Sequence, residues 1–230
     1  FMLYLAARTY GGGAGVKGKL QWSPVPEVVA ALDEAFNASF KHVVPTNQRL
    51  LIGLDVSASM RGTACVGSDI VDCVDAGAAV ALYFVRSEPN CHTMGFSESI
   101  RPFSVKADCS LSGLRECVPQ QAGGTDLSLP IAYAFKNNLT VDAFIIITDN
   151  QEFLGEKHNK ELLEEYRARV NPRAKLIILA AAVNRGSVAD PNDPLSFGVV
   201  GFDSAAPGLI ADFIRDCLLY TSPSPRDAHE

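Results

Sequence analysis

The chain lacks the cysteine patterns that build a zinc site or a disulfide framework. Its six cysteines contain no C-x-x-C pair and are scattered along 230 residues: Cys65, Cys73, Cys91, Cys109, Cys117 and Cys217. Structural zinc sites need closely spaced cysteine or histidine ligands, and disulfide-stapled proteins need a dense cysteine framework. Both classes are disfavoured, and we expect reduced thiols in an intracellular protein.

The chain also lacks long apolar runs, a basic leader and a polybasic stretch. No apolar segment approaches the roughly 20 residues that a membrane-spanning helix needs, so we expect no membrane partner. No basic region precedes the apolar first residues, which argues against a secretory signal. The formal net charge is −6, so the chain as a whole carries no basic footprint for nucleic acid.

Several catalytic and nucleotide-binding motifs are missing as well. There is no Walker phosphate-binding loop, no dinucleotide fingerprint and no Gly-x-Ser-x-Gly elbow for a serine nucleophile. The chain does have enough apolar residues for a substantial hydrophobic core, because 47% of its residues are hydrophobic and only 20% are charged. This is enough for one large domain, or for one domain with a helical appendage.

The most informative stretch is a short apolar run that ends in an aspartate and two serines. Residues 50–54 are apolar, as expected of a strand buried on both faces of a parallel sheet, and Asp55 follows. Ser57 and Ser59 place two hydroxyl groups just beyond the end of the strand. Carboxylate and hydroxyl oxygens suit Mg²⁺, Ca²⁺ or Mn²⁺ rather than zinc, so this stretch predicts a metal site.

Apolar strands alternate with helices along the rest of the chain. Ser23 and Pro24 are predicted to open the first full helix, as its cap and in its first turn. Further helices are predicted at 68–86, 111–118, 127–136, 157–170 and 207–218, and further strands at 91–96, 99–104, 143–149, 174–181 and 197–202. The pattern predicts an α/β fold with a mostly parallel sheet, one antiparallel edge strand and helices on both faces.

Two further motifs bring oxygen ligands to the same edge of the predicted sheet. A glycine-rich loop delivers Thr125 just before the helix at 127–136, and the strand that begins at residue 143 ends in Asp149. Ligands of parallel sheets bind beyond the carboxyl ends of the strands. The predicted metal site therefore combines side chains from three distant segments: Asp55, Ser57, Ser59, Thr125 and Asp149.

Two other interpretations of Asp55 stay open. In a plain capped turn, the serines would only bond backbone amides. In a phosphotransferase, Asp55 would be the nucleophile. Such enzymes carry a second acid two positions later, where this chain has Ser57, and no lysine stands among the four residues after Asp149. The convergence of three segments favours the metal site over both.

Asp55-x-Ser57-x-Ser59, followed by Thr125 and Asp149, resembles the metal-ion-dependent adhesion site (MIDAS) of von Willebrand factor A domains. The resemblance implies a Rossmann-like A-domain fold without catalytic activity. It also implies that the hydroxyls contact a divalent cation and that the aspartates act directly or through water. We expect Mg²⁺ as the cofactor, with one coordination position left for an acidic group of a protein partner.

A closer resemblance, over residues 1 to about 218, is to the Ro autoantigen (TROVE) family. It is carried by Ala6-Ala7-Arg8-Thr9-Tyr10, Gly18-Lys19-Leu20-Gln21-Trp22, Ala31-Leu32-Asp33-Glu34-Ala35-Phe36, Pro45-Thr46, Leu54 to Met60, Ala122 to Pro130, Phe144 to Asn150 and Ala189 to Asp193. The resemblance implies a ribonucleoprotein component. In this family a ring of helical repeats binds small noncoding Y RNAs and the ends of misfolded RNAs, and the A domain closes the ring.

The resemblance also implies a domain organisation. Residues 1–22 correspond to the end of an upstream helical-repeat domain and a connector, and residues 23–218 to the A domain. Nearly all of the ring is absent, so we assign RNA binding to the upstream ring and name no RNA-contact residue. The alternative is a stand-alone A domain that binds an acidic protein partner through its metal. We expect a cytoplasmic protein, with the nucleus as a further location, and a disordered, non-native tail at 219–230.

Overall fold

The computed structural model of the protein describes residues 2–15, 19–65, 71–102, 105–111, 113–119, 124–149, 157–182, 190, 192–202 and 205–217. Its strands are β1 (Leu50–Asp55), β2 (Cys91–Phe96), β3 (Ile100–Arg101), β4 (Ala143–Thr148), β5 (Lys175–Ala180) and β6 (Ser196–Val200). They form one sheet in the order β3-β2-β1-β4-β5-β6. All neighbours are parallel except β2 and β3. The predicted sheet with one antiparallel edge strand is confirmed.

The helices cover both faces of this sheet. They are α1 (Met2–Gly11), α2 (Pro26–Ser39), α3 (Cys73–Ser87), α4 (Leu129–Lys136), α5 (Lys157–Arg169) and α6 (Ala206–Ile214). Alternate residues of β1 point to opposite faces, as the two-residue period of a strand requires. Ile52 and Leu54 join the apolar core under α3 and α6, whereas Leu51 joins the core under α4 and α5. This burial on both faces explains why the strand is apolar throughout.

Two glycines let helices approach the central strand closely. A Cβ atom on Gly77 of α3 would collide with Leu54, and one on Gly53 of β1 would lie 2.6 Å from Cγ of Pro130 in α4. Only glycine fits at such close approaches without displacing its neighbours. Helices therefore press on β1 from both sides just before Asp55, which fixes the position of that residue.

The N-terminal helix packs onto the same body as the sheet. Tyr4 of α1 is buried in the core with α3. Arg8 of α1 pairs with Asp75 of α3, with Nη2 of the arginine 3.1 Å from Oδ2 of the aspartate. Within the described ranges, no helix is long and apolar enough to cross a membrane.

The predicted start of α2 was wrong. The helix begins at Pro26, and the residue before it is Val25, with extended angles of φ −85° and ψ 121° and no side-chain cap. A residue that precedes proline is driven out of the helical region, so Val25 cannot belong to the helix. Pro26, rather than Pro24, therefore occupies the first turn.

The start of α3 was also predicted too early. Asp72 is the N-cap, with its carboxylate accepting a hydrogen bond from the amide of Asp75, and the helix begins at Cys73. Residues 68–70, which were assigned to this helix, lie outside the described residues. An aspartate cap satisfies an amide that the first turn leaves free, and this stabilises a later start.

Smaller differences occur in the short elements. The helix predicted at 111–118 is a single 3₁₀ turn, Leu114–Cys117, and α4 begins two residues later than predicted, at Leu129. The edge strand β3 has two residues rather than six, although 103 and 104 lie outside the described residues. The predicted tail at 219–230 also lies outside them.

Candidate metal centre

Asp55 is the last residue of β1 and has no exposed surface. The parallel register pairs it with Phe96, the last residue of β2. On the other side Leu54 pairs with Ile147 of β4, so the next residue, Thr148, comes level with Asp55. The carboxyl ends of three neighbouring strands thus meet at Asp55, as the sequence predicts.

Three groups donate hydrogen bonds to the Asp55 carboxylate. The amide of Ser57 donates to Oδ1 at 2.9 Å, and the hydroxyls of Thr148 and Thr125 donate to Oδ2 at 2.7 Å and 3.3 Å. The Oγ atoms of Ser57 and Ser59 lie 3.1 Å apart. The structure therefore brings four of the five predicted ligands into one hydrogen-bonded group, in which hydroxyl oxygens surround a buried carboxylate.

The loop that carries Thr125 is tied to the end of β2. The amide of Asp126 donates to the carbonyl oxygen of Ser97 at 2.8 Å, and the amide of Gly124 donates to Oε1 of Glu98 at 2.8 Å. Oδ1 of Asp126 accepts from the amide of Ser128 at 2.9 Å, just before α4 begins. Thr125 is thus held between two anchored neighbours and reaches the strand edge from a segment 70 residues away from Asp55.

Asp149, the fifth predicted ligand, directly follows β4 and is 8% exposed. The amide of Ala181, which follows β5, donates to the carbonyl oxygen of Thr148 at 2.8 Å and so fixes the turn. The Asp149 carboxylate lies close enough for its negative charge to raise the pKa of Asp55. Asp149 thus belongs to the same electrostatic neighbourhood.

In the part of the chain that the structure describes, Asp55 is a buried carboxylate without a neighbouring cationic side chain. Burial raises the pKa of the Asp55 carboxyl, hydrogen bonds from Ser57 and Thr148 lower it, and the charge of Asp149 raises it again. Among the described residues, no lysine or arginine forms an ion pair with Asp55. A buried carboxylate normally requires a paired charge. A hard divalent cation bound to these oxygens would supply that charge, so the donor set fits Mg²⁺.

The donor set has few carboxylates. Within the described part of the chain, no group of three or more histidine, cysteine, aspartate or glutamate side chains could hold a metal. A cation at Asp55 would therefore depend on the serine and threonine hydroxyls. Such a site differs from the carboxylate-rich sites that calcium favours, and it suits an ion that keeps several waters.

Sequence reasoning missed Thr148, which makes the shortest hydrogen bond to Asp55. The sequence does contain a feature that points to it. Thr148 is the one hydroxyl residue in the otherwise apolar strand β4, and it directly precedes Asp149. A polar residue at the carboxyl end of a buried strand points towards a ligand site or a hydrogen-bonded neighbour. Only the register between β1 and β4 reveals that this neighbour is Asp55.

With this geometry established, the comparisons with known proteins identify the family. The family model described as the Ro60 vWA domain matches residues 49–214. The chain belongs to this family. The predicted family and fold are therefore confirmed, and the matched Ro60 vWA region contains all five predicted ligands.

Relatives and a solved structure agree with this assignment. The RNA-binding protein RO60 of Deinococcus radiodurans is 39% identical over 211 residues, covering 91% of this chain and 40% of that protein. The RNA-binding protein RO60 of Caenorhabditis elegans is 33% identical over 214 residues, covering 92% of this chain and 33% of that protein. The crystal structure of the D. radiodurans RO (RSR) protein matches with a TM-score of 0.80 and 38% identity, covering 94% of this chain and 44% of that one. The chain thus spans less than half the length of each.

Proposed function

We propose that this chain is the metal-binding, non-catalytic A domain of an RNA-binding ribonucleoprotein component. The observation that carries the metal proposal is the buried Asp55 carboxylate, which hydroxyl donors surround at the carboxyl edge of the sheet. The RNA proposal rests on two relatives whose names describe RNA-binding proteins.

The proposed ion is Mg²⁺, held by hydroxyl oxygens and flanked by two carboxylates. Ser57, Ser59 and Thr125 would contact it through their hydroxyls, and Asp55 and Asp149 would act directly or through bound water. When bound, the ion supplies a positive charge that offsets the buried carboxylates and leaves a position for an acidic group. Magnesium dehydrates reluctantly, so several waters should remain on it.

The metal proposal is tested by thermal unfolding with and without Mg²⁺. An ion that binds only the folded state raises the melting temperature as its concentration exceeds the dissociation constant. We expect a rise in millimolar Mg²⁺ that excess EDTA reverses, in the wild type and in Asp108→Asn, which changes an exposed aspartate. A melting temperature that is the same in EDTA and in Mg²⁺ would count against the site.

The RNA proposal places RNA binding on helical repeats upstream of α1, with residues 1–22 as their last helix and connector. The net charge of −6 supports this division, since phosphate binding relies on clustered lysine and arginine. The proposed RNA is a small structured noncoding RNA of the Y type or the end of a misfolded RNA. The A domain from residue 23 onward would close the ring of repeats.

This division is tested by comparing the present chain with the full-length product of its gene. In gel-shift titrations with a small stem-loop RNA, we expect tight, salt-sensitive binding by the full-length protein and little by this chain. Equal affinities would overturn the division, and failure of both to bind would overturn the RNA proposal. Neither result depends on the metal test.

Three finer expectations stay predictions. A non-catalytic domain should show no turnover of phosphoesters, and turnover that disappears in Asp55→Asn would contradict this.

An acidic protein partner at the metal is a separate proposal, to be tested by Mg²⁺-dependent capture of an acidic peptide. A cytoplasmic location can be checked by microscopy of the tagged full-length protein.

A further inference from the structure

Two cysteines lie almost in contact in the segment between β3 and α4. The Sγ atoms of Cys109 and Cys117 are 3.2 Å apart, and both residues are half-buried rather than enclosed. A disulfide bond has a length of about 2.05 Å, so the two sulfurs must move together by only about 1 Å. We propose that Cys109 and Cys117 form a reversible intrachain disulfide when a low-molecular-weight disulfide, such as oxidised glutathione, reaches them.

The backbone around the two thiols is held in place by side chains from other elements. Arg86 of α3 donates to the carbonyl oxygens of Ala107 and Cys109, both at 2.8 Å. Arg61 donates to the carbonyl oxygen of Val118, next to Cys117, at 3.0 Å. The backbone at both ends of the pair is therefore anchored while the two sulfurs lie 3.2 Å apart. Such preorganisation favours a bond within the chain over reaction with two separate partners.

The remaining cysteines show that this pairing is selective. Cys65 and Cys73 also interact, but they are 2% and 0% exposed, so an oxidant cannot reach them. Their contact and burial both raise the pKa of the Cys73 thiol, and the same contact lowers the pKa of Cys65, so it is the burial of this pair that keeps it from reacting. Cys217 is exposed, and its recorded contact among the described residues is with the carbonyl oxygen of Arg215, 3.7 Å from its Sγ atom, rather than with a cysteine. Only Cys109 and Cys117 combine access with a neighbouring thiol among the described residues.

The exchange reaction balances with the disulfide oxidant alone. One cysteine loses its proton, attacks the small disulfide and releases half of it as a thiol. The neighbouring cysteine then loses its proton, attacks the mixed disulfide and releases the second half as a thiol. The two S–H bonds of the protein are replaced by one S–S bond, and the oxidant is reduced to two thiols. Burial and the contact with Cys117 raise the pKa of Cys109 to about 11, so the exchange should accelerate as the pH rises.

The disulfide would act on the contact between this segment and α3. The 3₁₀ turn between the two cysteines carries Arg115, whose guanidinium pairs with Asp72 at 2.8 Å and with Asp75 at 2.5 Å. Closing the loop removes conformational freedom from the unfolded chain and so stabilises the folded state. The oxidised protein should therefore keep this turn, and the ion pairs of Arg115 with Asp72 and Asp75, up to a higher temperature than the reduced protein does.

The proposal is tested on the whole chain in glutathione buffers of increasing oxidised fraction at pH 8. Free thiols are then blocked with a maleimide, and tryptic peptides are analysed by mass spectrometry. When the maleimide is added in denaturant, which exposes the buried thiols, we expect a linked pair of peptides that contain Cys109 and Cys117, the loss of two of the six reactive thiols, and reversal by dithiothreitol. The melting temperature should rise by on the order of 5 °C on oxidation.

The matched variants are Cys117→Ser and Cys217→Ser. Cys117→Ser should abolish the linked peptides and leave Cys109 free or glutathione-bound, whereas Cys217→Ser should leave the linkage intact. The proposal is overturned if both cysteines of the wild type stay maleimide-reactive while Cys217 is oxidised. It is also overturned if Cys109 and Cys117 each carry a separate glutathione. The wild-type result alone decides the matter if a variant fails to fold.

Discussion

Two aspartates at opposite ends of the central strands have opposite surroundings. Asp142 directly precedes β4, and its carboxylate accepts hydrogen bonds from the amide, Nε and Nη2 of Arg49 at 2.9, 2.8 and 2.7 Å. The amide group of Asn171 adds a further hydrogen bond at 3.0 Å. Asp55, at the far end of the neighbouring strand, is fully buried and accepts hydrogen bonds only from neutral hydroxyl and amide groups of the described residues.

The difference shows that the same residue type can have two roles in one sheet. Asp142 stabilises the fold at one end, and Asp55 is proposed to bind a cation at the other. The hydrogen bonds from Arg49 lower the pKa of Asp142, so its charge is stable without any further partner. Burial raises the pKa of Asp55, so its charge is costly until a cation arrives. A carboxylate that is already neutralised cannot attract a metal, and one that is buried among hydroxyls can.

The largest expected effect is that of Asp55→Asn. This change removes the buried carboxylate that the hydroxyl side chains surround, and we expect Mg²⁺ affinity to fall by more than about 100-fold, since even outer ligands of metal sites contribute about 10–100-fold. In EDTA the variant should be as stable as the wild type or more so, because it removes a buried unpaired charge. Thermal unfolding across a Mg²⁺ series measures both. A Mg²⁺-dependent rise that survives in Asp55→Asn would remove Asp55 from the site.

Asp142→Asn should show the reverse behaviour. It breaks a bidentate arginine pair and should lower the free energy of unfolding by about 1–2 kcal/mol, the modest range expected because Arg49 is half-exposed. The rise in melting temperature that Mg²⁺ causes should stay unchanged. Urea unfolding with and without Mg²⁺ separates the two quantities. If Asp142→Asn altered Mg²⁺ affinity as strongly as Asp55→Asn, the proposed contrast between the two ends of the sheet would fail.

Ser59→Ala should have a smaller effect that is confined to the metal. Ser59 is exposed, and its only described side-chain hydrogen bond is to Oγ of Ser57 at 3.1 Å. Loss of one hydroxyl ligand should weaken Mg²⁺ binding by about 10-fold. Stability in EDTA should change by less than about 0.5 kcal/mol, as for most surface substitutions. Unchanged Mg²⁺ affinity would indicate that Ser59 only caps the turn.

The smallest expected effect is the pH dependence that Asp142 contributes. Its pKa is lowered in the folded state, so its stabilisation is complete above the unfolded pKa of about 3.9 and is lost as pH falls through the lower folded value. The stability difference between the wild type and Asp142→Asn should therefore be constant at pH 5–7 and shrink by about 1 kcal/mol or less below about pH 4. A difference that grows on acidification would contradict this assignment.

Much of the fold could be predicted because its signals are local and repeated. The strands β1, β4 and β5 are buried on both faces. Nearly every residue in them is therefore apolar, and a continuous apolar run is easy to recognise in the sequence. Helix starts were harder to predict, because each is set by the backbone angles of a single N-cap residue. These residues are Val25 for α2 and Asp72 for α3. The ends of short elements such as β3 depend on tertiary contacts that no local pattern records.

The candidate site was only partly predictable for a related reason. Asp55, Ser57 and Ser59 form one sequence motif, and the topology of parallel sheets brings Thr125 to the same edge. Thr148 was missed because its role depends on the register between β1 and β4, which the sequence does not display. The lack of a cationic side chain beside Asp55 among the described residues is likewise visible only in the packed structure.

Asp55 and its hydroxyl neighbours are proposed to bind a divalent cation. Isothermal titration of Mg²⁺ into the metal-free chain, with Mn²⁺ as a second ion, tests this proposal most directly. We predict one binding site with a dissociation constant in the millimolar range or below, present in Asp142→Asn and absent in Asp55→Asn. No binding of either ion at millimolar concentrations, or equal binding by Asp55→Asn, would overturn the proposed metal site.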